Sequence, residues 1–429
     1  MKRAKKLLAA ALFAPLALAA CSPSSNNANE TPEPATSELT AEISYAFWDE
    51  NQRPAIEQNI ADFNKQYPNI KVTPNVTPWA QYWTKLQTQA ESNSLPDVFW
   101  MNGPNVTLYA SNNMLEPIDA MVSAQQVDPA NYPESLNNLY TVDGKQYGVP
   151  KDFDTIGLWY NKAIFEKAGV DLPTADWTWD DFHTAAKTIS DKLKGEGIYG
   201  VSTGLAGGQE GYYNTIFQAG GSIISEDKKA SGYDTPEAAE GLQFWADLIA
   251  DGSSPTLQQL SDTEASVWFS SGKSAMIWTG TWSVSLFKES EVKADIDVTD
   301  LPQGKQRATV IHGLANVVAA NSKNKAAAQA LAAYMGSEEA QLTQAKMGAA
   351  NPAFLGTNGA FVESVPEWNL QSFIDSAENY AVPYPVSKDT QRWNEQETAL
   401  LPAAFSGERP VAEVAKELAA KMNEILAAE

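Results

Sequence analysis

The sequence predicts an α/β protein with two lobes. Its 429 residues exceed the size of one ordinary domain. From Ala41 onward, segments with the two-residue period of a strand alternate with segments that have the 3.6-residue period of a helix. Hydrophobic residues make up 43% of the chain, which is enough to form a sizeable core. Such alternation is typical of largely parallel sheets covered by helices on both faces.

The first lobe begins with the order strand, helix, strand, helix, strand. Strand patterns cover residues 43–48, 70–76 and 97–100. Pro54 opens the first helix, since proline is favoured in the first turn, and its apolar face carries Ile56, Ile60, Phe63 and Tyr67. The second helix covers residues 79–90. The tryptophans that lie within helical patterns, and that we expect in the core, are Trp79, Trp83, Trp245 and Trp268.

A second series of elements follows after residue 140. Asp143-Gly144 predicts the turn of a hairpin over residues 141–149. Thr178 and Asp181 form a near capping box that opens a helix reaching about Lys194. Further strands are predicted over residues 155–160, 199–203, 274–279 and 315–320. Further helices are predicted over residues 161–168, 212–218, 235–251, 262–271, 325–335 and 411–426.

Charge and composition disfavour several classes of function. The net charge of −23 repels phosphate backbones, so we expect no nucleic-acid partner. The only cysteine is Cys21, which rules out a disulfide framework and a cysteine-based metal site. The two histidines, His183 and His312, are far apart in sequence, so a multi-histidine metal centre is not expected either.

The N-terminus has the pattern of an export signal. Lys2, Arg3, Lys5 and Lys6 precede the apolar run Leu7–Ala19, which is shorter than the ~20 residues that a membrane-spanning helix needs. Leu18-Ala19-Ala20-Cys21 resembles the bacterial lipobox, in which the thiol is lipidated and becomes the first residue. An ordinary signal with a chance cysteine is the alternative. We therefore predict a signal peptide over residues 1–20 and a lipid anchor on Cys21.

The segment after this signal has the composition of a flexible tether. Residues 21–40 are rich in Ser, Asn, Thr, Pro and Glu and contain no aromatic residue. No later segment is apolar enough to cross a membrane. The sequence thus predicts an exported globular protein, anchored by lipid and working at the cell surface.

Four segments together resemble one family, the extracellular solute-binding lipoproteins of ABC importers, in the carbohydrate-binding branch that includes maltose-binding protein. They are residues 61–72 (ADFNKQYPNIKV), 95–100 (LPDVFW), 143–169 (DGKQYGVP, then LWYNK and FEKAG) and 321–327 (NSKNKAA). Each motif alone is weak, but the four occur in the family's order. The resemblance covers about residues 41–426.

The resemblance implies a bilobal periplasmic-binding-protein-like fold of type II, with two discontinuous α/β lobes joined by hinge strands. Lobe one would comprise residues 41–150 plus 310–345, and lobe two residues 151–309 plus 346–429. Hinges would lie near Pro150 and near His312-Gly313. A carbohydrate, expected to be an oligosaccharide, would bind in the cleft and pass to the membrane permease of an ABC transporter. The resemblance implies a monomer without cofactor or catalysis.

Candidate binding residues combine aromatic rings with polar groups. A sugar packs its C–H faces on aromatic rings and offers hydroxyls to planar polar side chains. Trp48, Asp49 and Asn51 follow the first predicted strand, where ligands of open α/β sheets bind. The alternative for Asp49 and Asn51 is a helix N-cap, which also favours Asp and Asn.

Other candidates depend on the family resemblance. Trp100 and Asn102 end the "PDV" strand, although Trp100 also suits a core. Asp154 has the spacing to Leu158 of a sugar-binding acid, and a solvated hinge carboxylate is its alternative. Gly280 and Trp282 match "M..G.W", where glycine would allow close approach and the tryptophan would stack on a sugar ring. Further candidates are Glu210 and Tyr212, whose spacing departs slightly from the family pattern. Trp393 is a candidate with a slight offset in position. His312 is a candidate that also suits a satisfied hinge position.

Two other functions remain open. An exported glycoside hydrolase also uses tryptophans and carboxylates, and the sequence has 53 acidic residues from which a catalytic pair could come. A binding protein for a peptide, polyamine or glycerol phosphate would share the fold. A phosphate ligand needs clustered Arg and Lys, which the sequence lacks, and the 13 tryptophans favour sugars.

Overall fold

Two separate β-sheets form the framework of the protein, as the alternating pattern predicts. The computed structural model describes residues 34–429. The strands are β1 Ala41–Phe47, β2 Ile70–Val76, β3 Val98–Asn102, β4 Leu115–Glu116, β5 Thr141–Val142, β6 Lys145–Gln146, β7 Gly148–Asp154, β8 Ile156–Asn161, β9 Tyr199–Thr203, β10 Ser274–Gly280, β11 Ile296–Thr299, β12 Thr309–Ala319 and β13 Ala381–Pro383.

Helices cover both faces of the sheets. They are α1 Arg53–Gln66, α2 Trp79–Glu91, α3 Gly103–Ser111, α4 Asp119–Ser123, α5 Glu134–Leu139, α6 Lys162–Ala168, α7 Trp179–Leu193, α8 Tyr212–Gln218, α9 Pro236–Ala250, α10 Leu257–Asp262, α11 Ala265–Ser270, α12 Val284–Phe287, α13 Lys325–Gly336, α14 Glu338–Lys346, α15 Asn358–Val362, α16 Gln371–Asn379, α17 Thr390–Phe405 and α18 Val411–Leu426. Short 3₁₀ helices cover Glu50–Gln52, Pro129–Asn131, Lys194–Glu196 and Thr281–Ser283.

The first sheet has the strand order β13-β12-β3-β1-β2, and β4 and β7 also pair with β12. β1 runs parallel to β2 and β3, while β12 is antiparallel to β3 and β7. Both faces of the sheet are buried. On β3, Val98 and Trp100 pack with α1 and α13 on one face, and Phe99 and Met101 pack with α2 and α3 on the other. This two-sided burial follows from the two-residue period of a strand.

The second sheet has the order β11-β8-β10-β9. β10 is parallel to β9 and antiparallel to β8. Met276 and Trp278 on β10 face a core formed with α7, α8, α9, α17 and α18, whereas Ile277 faces the core formed with α11, α12, α15 and α16. Each sheet thus has its own pair of cores, and the protein is a two-lobed α/β protein.

Neighbouring strands carry the chain between the two sheets. β7 pairs with β12 as far as Asp154 opposite His312, and β8 begins in the second sheet at Ile156. β12 pairs with β13 over residues 309–311 and with β7 from residue 312. An isolated bridge between Asp152 and Pro352 marks a third segment at the same place. The exact lobe ranges stay a prediction, but the crossover strands lie around Asp154 and His312.

Most predicted elements form, with differences that have physical causes. The capping box of Thr178 and Asp181 opens α7, and Gly169 ends α6 in the left-handed conformation with φ 62°. β12 begins earlier than the predicted strand because Thr309–Leu314 crosses between the sheets rather than staying in one core. Residues 34–40 have no regular structure, yet Ala35 and Leu39 pack against the first core.

The N-terminal predictions lie mostly outside the part of the chain that the structure describes. The signal peptide, Cys21 and most of the tether precede residue 34. Within residues 34–429, no helix combines the length and the apolar character needed to cross a bilayer.

Candidate functional site in the cleft between the two sheets

The ends of several strands from both sheets meet at the crossover. β1, β3 and β7 run in one direction and end at Phe47, Asn102 and Asp154. In the second sheet, β9 and β10 end at Thr203 and Gly280, and Gly280 lies opposite Ile156 at the start of β8. α12 lies against the 3₁₀ turn Glu50–Gln52, and α17 lies against α3, so the two lobes approach on both sides. The carboxyl ends of the parallel strands therefore border one cleft, which is where α/β sheets bind ligands.

Three clustered tryptophans, one exposed and two half-buried, form one wall of this cleft. Trp48 follows β1, and its ring centroid lies 5.2 Å from that of Trp79 and 6.0 Å from that of Trp83. The rings of Trp79 and Trp83 stand nearly perpendicular, at 89°. Trp79 is 52% exposed, so its predicted place in the core is wrong, whereas Trp245 is buried as predicted. We call Trp48, Trp79 and Trp83 the tryptophan surface.

Asp49 and Asn51 form a local cap beside the tryptophan surface. Asp49 Oδ1 accepts from the backbone N–H of Asn51 at 2.9 Å, and Oδ2 accepts from Gln52 Nε2 at 3.0 Å. This is the N-cap alternative that the sequence left open. Burial raises the pKa of Asp49 above its ordinary value, although the hydrogen bonds from Gln52 and Asn51 oppose the shift. Because both of its oxygens already accept hydrogen bonds, Asp49 mainly shapes the turn.

Gly280 and Trp282 form part of the opposite wall. Trp282 follows β10 and remains partly exposed. A Cβ on Gly280 would lie 2.0 Å from Cζ3 of Trp282, so the indole ring rests directly on the glycine. Gly280 therefore serves the cleft by giving Trp282 room, and it leaves the ring beside the crossover.

Asp154 is a buried carboxyl group with spare acceptor capacity. It is 5% exposed, and its Oδ1 accepts from the hydroxyl of Thr281, while its Oδ2 receives no hydrogen bond from residues 34–429. Burial raises its pKa well above the ordinary value, and the nearby Asp152 adds to the shift. A protonated carboxyl group keeps acceptor capacity and gains one O–H donor, so Asp154 can both accept a hydrogen bond from a ligand and donate one to it.

Glu210 occupies a similar position at the end of β9. Its Oε1 accepts from the hydroxyl of Thr279 at 2.6 Å, and its Oε2 lies against the backbone of Gly204 without a donor from the described chain. Burial raises the pKa of Glu210 to about 7. The structure thus brings Glu210, Asp154 and Trp282 together around the C-terminal end of β10.

His312 links the crossover to the first lobe. Its Nε2 accepts from the backbone N–H of Gly103 at 3.2 Å, and its ring packs 4.9 Å from Tyr384. Burial lowers the pKa of His312 to about 4, so the ring is neutral and able to accept. Asn102 lies nearby but is buried, and its Oδ1 accepts from Asn105 Nδ2 at 2.8 Å. These contacts fit the satisfied hinge position that was the alternative for His312.

Three predicted binding aromatics are buried inside the lobes. Trp100 is 0% exposed, and its indole N–H donates to Tyr45 Oη at 2.7 Å. Trp393 is also 0% exposed and donates to Ser387 Oγ at 3.0 Å. Tyr212 is 1% exposed, and its hydroxyl lies 3.4 Å from Glu397. No ring face is open to a ligand at these positions, so we leave these three residues out of the proposed site.

Sequence reasoning missed a buried acid on α17, in the core of the second lobe. Glu397 is 2% exposed and accepts from Tyr213 Oη at 2.8 Å, from Asn394 Nδ2 at 2.8 Å and from Tyr233. Burial raises the pKa of Glu397 to about 7. The sequence did contain a pattern that points to this acid. Glu397 lies four residues after Trp393 and four before Leu401, on the buried face of α17. An acid in an apolar stripe indicates a buried polar network.

The candidate site has no arrangement of metal ligands. Among residues 34–429, no three side chains of His, Cys, Asp or Glu are grouped so that they could hold a metal ion. The arrangement is instead one of aromatic faces and hydrogen-bond acceptors, which suits a ligand with apolar faces and hydroxyl groups.

Comparisons with known proteins agree with this architecture. A putative binding protein of Brucella abortus is 26% identical over 279 residues, which cover 63% of this chain and 66% of the relative. The chain thus spans just under two thirds of that relative's length. The galactooligosaccharide-binding protein of Bacillus subtilis is 26% identical over 362 residues, which cover 80% of this chain and 79% of the relative.

Solved structures show the same fold. An ABC substrate-binding protein from Listeria monocytogenes, solved in complex with cycloalternan, superposes with a TM-score of 0.85 at 27% identity, covering 91% of this chain and 100% of that one. The profile of the bacterial extracellular solute-binding proteins matches residues 48–342, which is more than half of the chain. The chain therefore belongs to the family of bacterial extracellular solute-binding proteins.

Proposed function

We propose that the protein binds an oligosaccharide in the cleft between its lobes and delivers it to the permease of an ABC transporter. The observation that carries this proposal is the tryptophan surface, which lies at the same strand-end cleft as Trp282 and the carboxyl groups of Asp154 and Glu210. The relatives named above are a galactooligosaccharide-binding protein and a protein in complex with cycloalternan, which supports a carbohydrate ligand.

The chemistry of the cleft matches that of a sugar. The C–H faces of a pyranose are apolar and pack against aromatic rings, and an exposed indole keeps its face available for this contact. The free oxygens of Asp154 and Glu210 accept hydrogen bonds from hydroxyl groups. Three tryptophans in contact cover more area than one sugar ring, which favours an oligosaccharide over a monosaccharide.

Lobe closure couples binding to transport in this proposal. The sugar contacts the tryptophan surface on the first lobe and Trp282 on the second, so it stabilises the state in which both walls reach it. The crossover strands around Asp154 and His312 are the elements that would change conformation. The permease then recognises the closed pair of lobes.

The proposed location and assembly follow from the family and the N-terminus. As a member of an extracellular family, the protein works outside the cytoplasm. We infer that Cys21 carries the lipid anchor, because the only cysteine follows an apolar run and small residues. A monomer suffices for this role, because the cleft is built from one chain.

The test is a melting-temperature screen of the purified protein against neutral oligosaccharides, with peptides and polyamines as controls. At a ligand concentration a hundredfold above Kd, the native state gains about 2.7 kcal/mol, which raises Tm by a few degrees. A shift confined to oligosaccharides supports the proposal. A shift with peptides or polyamines alone would replace the sugar by another solute.

A pair of tryptophan variants tests the placement of the site. Trp79→Ala removes a half-exposed ring from the tryptophan surface, and we expect sugar affinity to fall about tenfold or more with little loss of stability, since one aromatic contact is worth roughly 1–2 kcal/mol. Trp268→Ala is the matched control, because Trp268 in α11 is also partly exposed but packs on Tyr199 at the start of β9, away from the cleft. Equal losses in both variants would reject this placement.

A further inference from the structure

The end of β10 and the turn that follows it hold both carboxyl groups of the cleft. Thr279 Oγ1 donates to Glu210 Oε1 at 2.6 Å, and Thr281 Oγ1 donates to Asp154 Oδ1. Within residues 34–429, neither carboxyl group receives another hydrogen bond. The orientation of each acid therefore depends on one threonine hydroxyl.

A third hydroxyl fixes the first threonine. Thr279 Oγ1 lies 2.9 Å from Ser283 Oγ, and both side chains are buried. A threonine hydroxyl has a single proton, so Ser283 is the donor in this bond when Thr279 donates to Glu210. The result is a directed chain of hydrogen bonds from Ser283 through Thr279 to Glu210. Because Thr279 and Thr281 are 0% exposed, bulk water does not compete for their hydroxyls.

The threonines leave the second oxygen of each acid without a partner from the described chain. These atoms are Asp154 Oδ2 and Glu210 Oε2. Each can accept from a ligand hydroxyl and, when the acid is protonated, can also donate to one. A carboxyl group that is held at one oxygen presents the other in a fixed direction. An acid without such a contact rotates more freely, since the terminal torsions of Asp and Glu are broad.

The same short segment also places the aromatic part of this wall. Gly280 lies between the two threonines, and the ring of Trp282 rests on it. Residues 279–283, with the sequence TGTWS, therefore contact both acids and carry the ring that faces the crossover. The polar and the aromatic parts of the second wall thus depend on one stretch of five residues.

We propose that Thr279 and Thr281 are positioning residues for the ligand: each fixes one oxygen of a cleft acid and so aims the other at the bound sugar. This inference depends on the proposed function and specifies which residues build its site. The physical reason is preorganisation. An acid that is already oriented loses less side-chain entropy when the ligand binds, and this raises affinity.

The experiment removes each hydroxyl from the full protein and measures affinity by titration calorimetry. The probe is the short malto- or galacto-oligosaccharide that gives the largest rise in Tm. We expect Thr279→Val and Thr281→Val each to lower affinity roughly two- to tenfold, the range for one hydrogen bond. Thr279→Ser and Thr281→Ser keep the hydroxyl and should restore most of the affinity. Thr299→Val is the matched control, because Thr299 is a buried threonine at the end of β11 that bonds neither acid.

A double-mutant cycle separates positioning from a merely structural role. If Thr279 acts through Glu210, Thr279→Val should change affinity little in a protein that already carries Glu210→Ala. The corresponding pair for the other acid is Thr281→Val with Asp154→Ala. A threonine that only supports the fold would lower affinity by the same factor whether or not the acid is present. The Tm of each variant without sugar distinguishes a loss of folding from a loss of binding.

Ser283→Ala is a milder second variant, and it replaces Thr279→Val if that protein does not fold. It leaves the bond from Thr279 to Glu210 possible but removes the donor that fixes the Thr279 hydroxyl. We expect affinity to fall about twofold or more. Unchanged affinity would overturn the part of the proposal that concerns Glu210.

The outcomes separate this proposal from the proposed function. Unchanged affinity in both valine variants would overturn the positioning role but leave carbohydrate binding intact. Equal losses with and without the acids would also overturn it, because the threonines would then act on something else. If the parent protein binds none of the sugars, the proposed function fails, and the role of the threonines fails with it.

Discussion

At the scale of single residues, Gly280 shows how one missing side chain positions another. Its backbone has φ −90°, which any residue can adopt, so conformational freedom does not explain the glycine. The close approach of the Trp282 ring does, because a Cβ would lie 2.0 Å from it. The position of Trp282 in the cleft therefore depends on Gly280.

We predict that Gly280→Ala displaces the Trp282 ring and weakens oligosaccharide binding about tenfold or more. The control is Gly359→Ala, since a Cβ at Gly359 meets nothing within 4 Å and the residue is an exposed position of helix α15. Titration calorimetry with the best neutral sugar of the screen measures both. Unchanged affinity in Gly280→Ala would show that Trp282 does not contact the ligand from this position.

Glu397 gives a pH-dependent prediction at the same scale. Burial raises its pKa from 4.5 to about 7, so between these values the folded state keeps a proton that the unfolded state releases. The free energy of unfolding therefore falls as pH rises from about 4.5 to 7, by about 1.4 kcal/mol per unit of pKa difference. The groups that face Glu397 are Tyr212, Tyr213, Tyr233, Tyr384 and Asn394.

Urea unfolding at pH 5 and pH 8 tests this prediction. We expect the protein to lose more stability than Glu397→Gln over this range, because the variant lacks the titrating group. Equal losses in the two proteins would mean that Glu397 is already ionised at pH 5 and that the tyrosine hydroxyls outweigh its burial.

The residue scale also marks a limit of sequence reasoning. Trp79, Trp83 and Leu86 share one helix face, and that pattern predicts a core position for all three. In the structure Leu86 is buried, but Trp79 is in the first turn of α2, beyond the end of β2, and is half exposed. Helical periodicity identifies the face that points to the sheet, but it does not say where the sheet ends.

At the scale of elements, a buried ion pair joins the crossover strands. Lys151 and Asp152 are adjacent on β7, and Asp152 Oδ1 also accepts from the backbone N–H of Leu314 on β12 at 3.0 Å. Lys151 extends the contact to Gln52 before α1 and to Trp100 on β3. The pair thus ties four elements together at the place where the chain leaves the first lobe.

We predict that Asp152→Ala lowers the free energy of unfolding by about 3–5 kcal/mol, because it leaves the Lys151 ammonium buried without a counter-charge. Asp176→Ala is the control, since Asp176 is exposed and forms only a surface ion pair with Arg307, worth roughly 0–1 kcal/mol. Chemical denaturation compares both with the parent protein. A loss below about 1 kcal/mol in Asp152→Ala would contradict the proposed role of the pair.

The elements divide into those that sequence could predict and those that it could not. β1, α1, β2 and α2 follow from period and helix-start signals that are local in the chain. The reach of β12 across both sheets is not local, because its partners β7, β3 and β13 come from distant parts of the sequence. The burial of Trp393 likewise depends on α17 packing against α9 and α18, which no nearby residue reveals.

At the scale of the whole molecule, the two-lobed fold was predictable because the order of four motifs carried the family resemblance, and the family match confirms it. The cleft itself was only partly predictable. Asp154, Glu210, Gly280 and Trp282, which the sequence singles out, lie close together in the structure, whereas the tryptophan surface appears only when α2 is placed against the end of β1. The second lobe also has a shallow groove, bordered by Phe217, Ile223, Val382 and Pro385, which could compete as a binding place.

The structure of the protein in complex with the best neutral oligosaccharide tests the central claim most directly. We predict sugar rings against Trp79 or Trp48 on one wall and Trp282 on the other, with hydroxyl groups within hydrogen-bond distance of Asp154 or Glu210. A sugar found in the groove of Phe217, Ile223, Val382 and Pro385, with the cleft empty, would contradict the account.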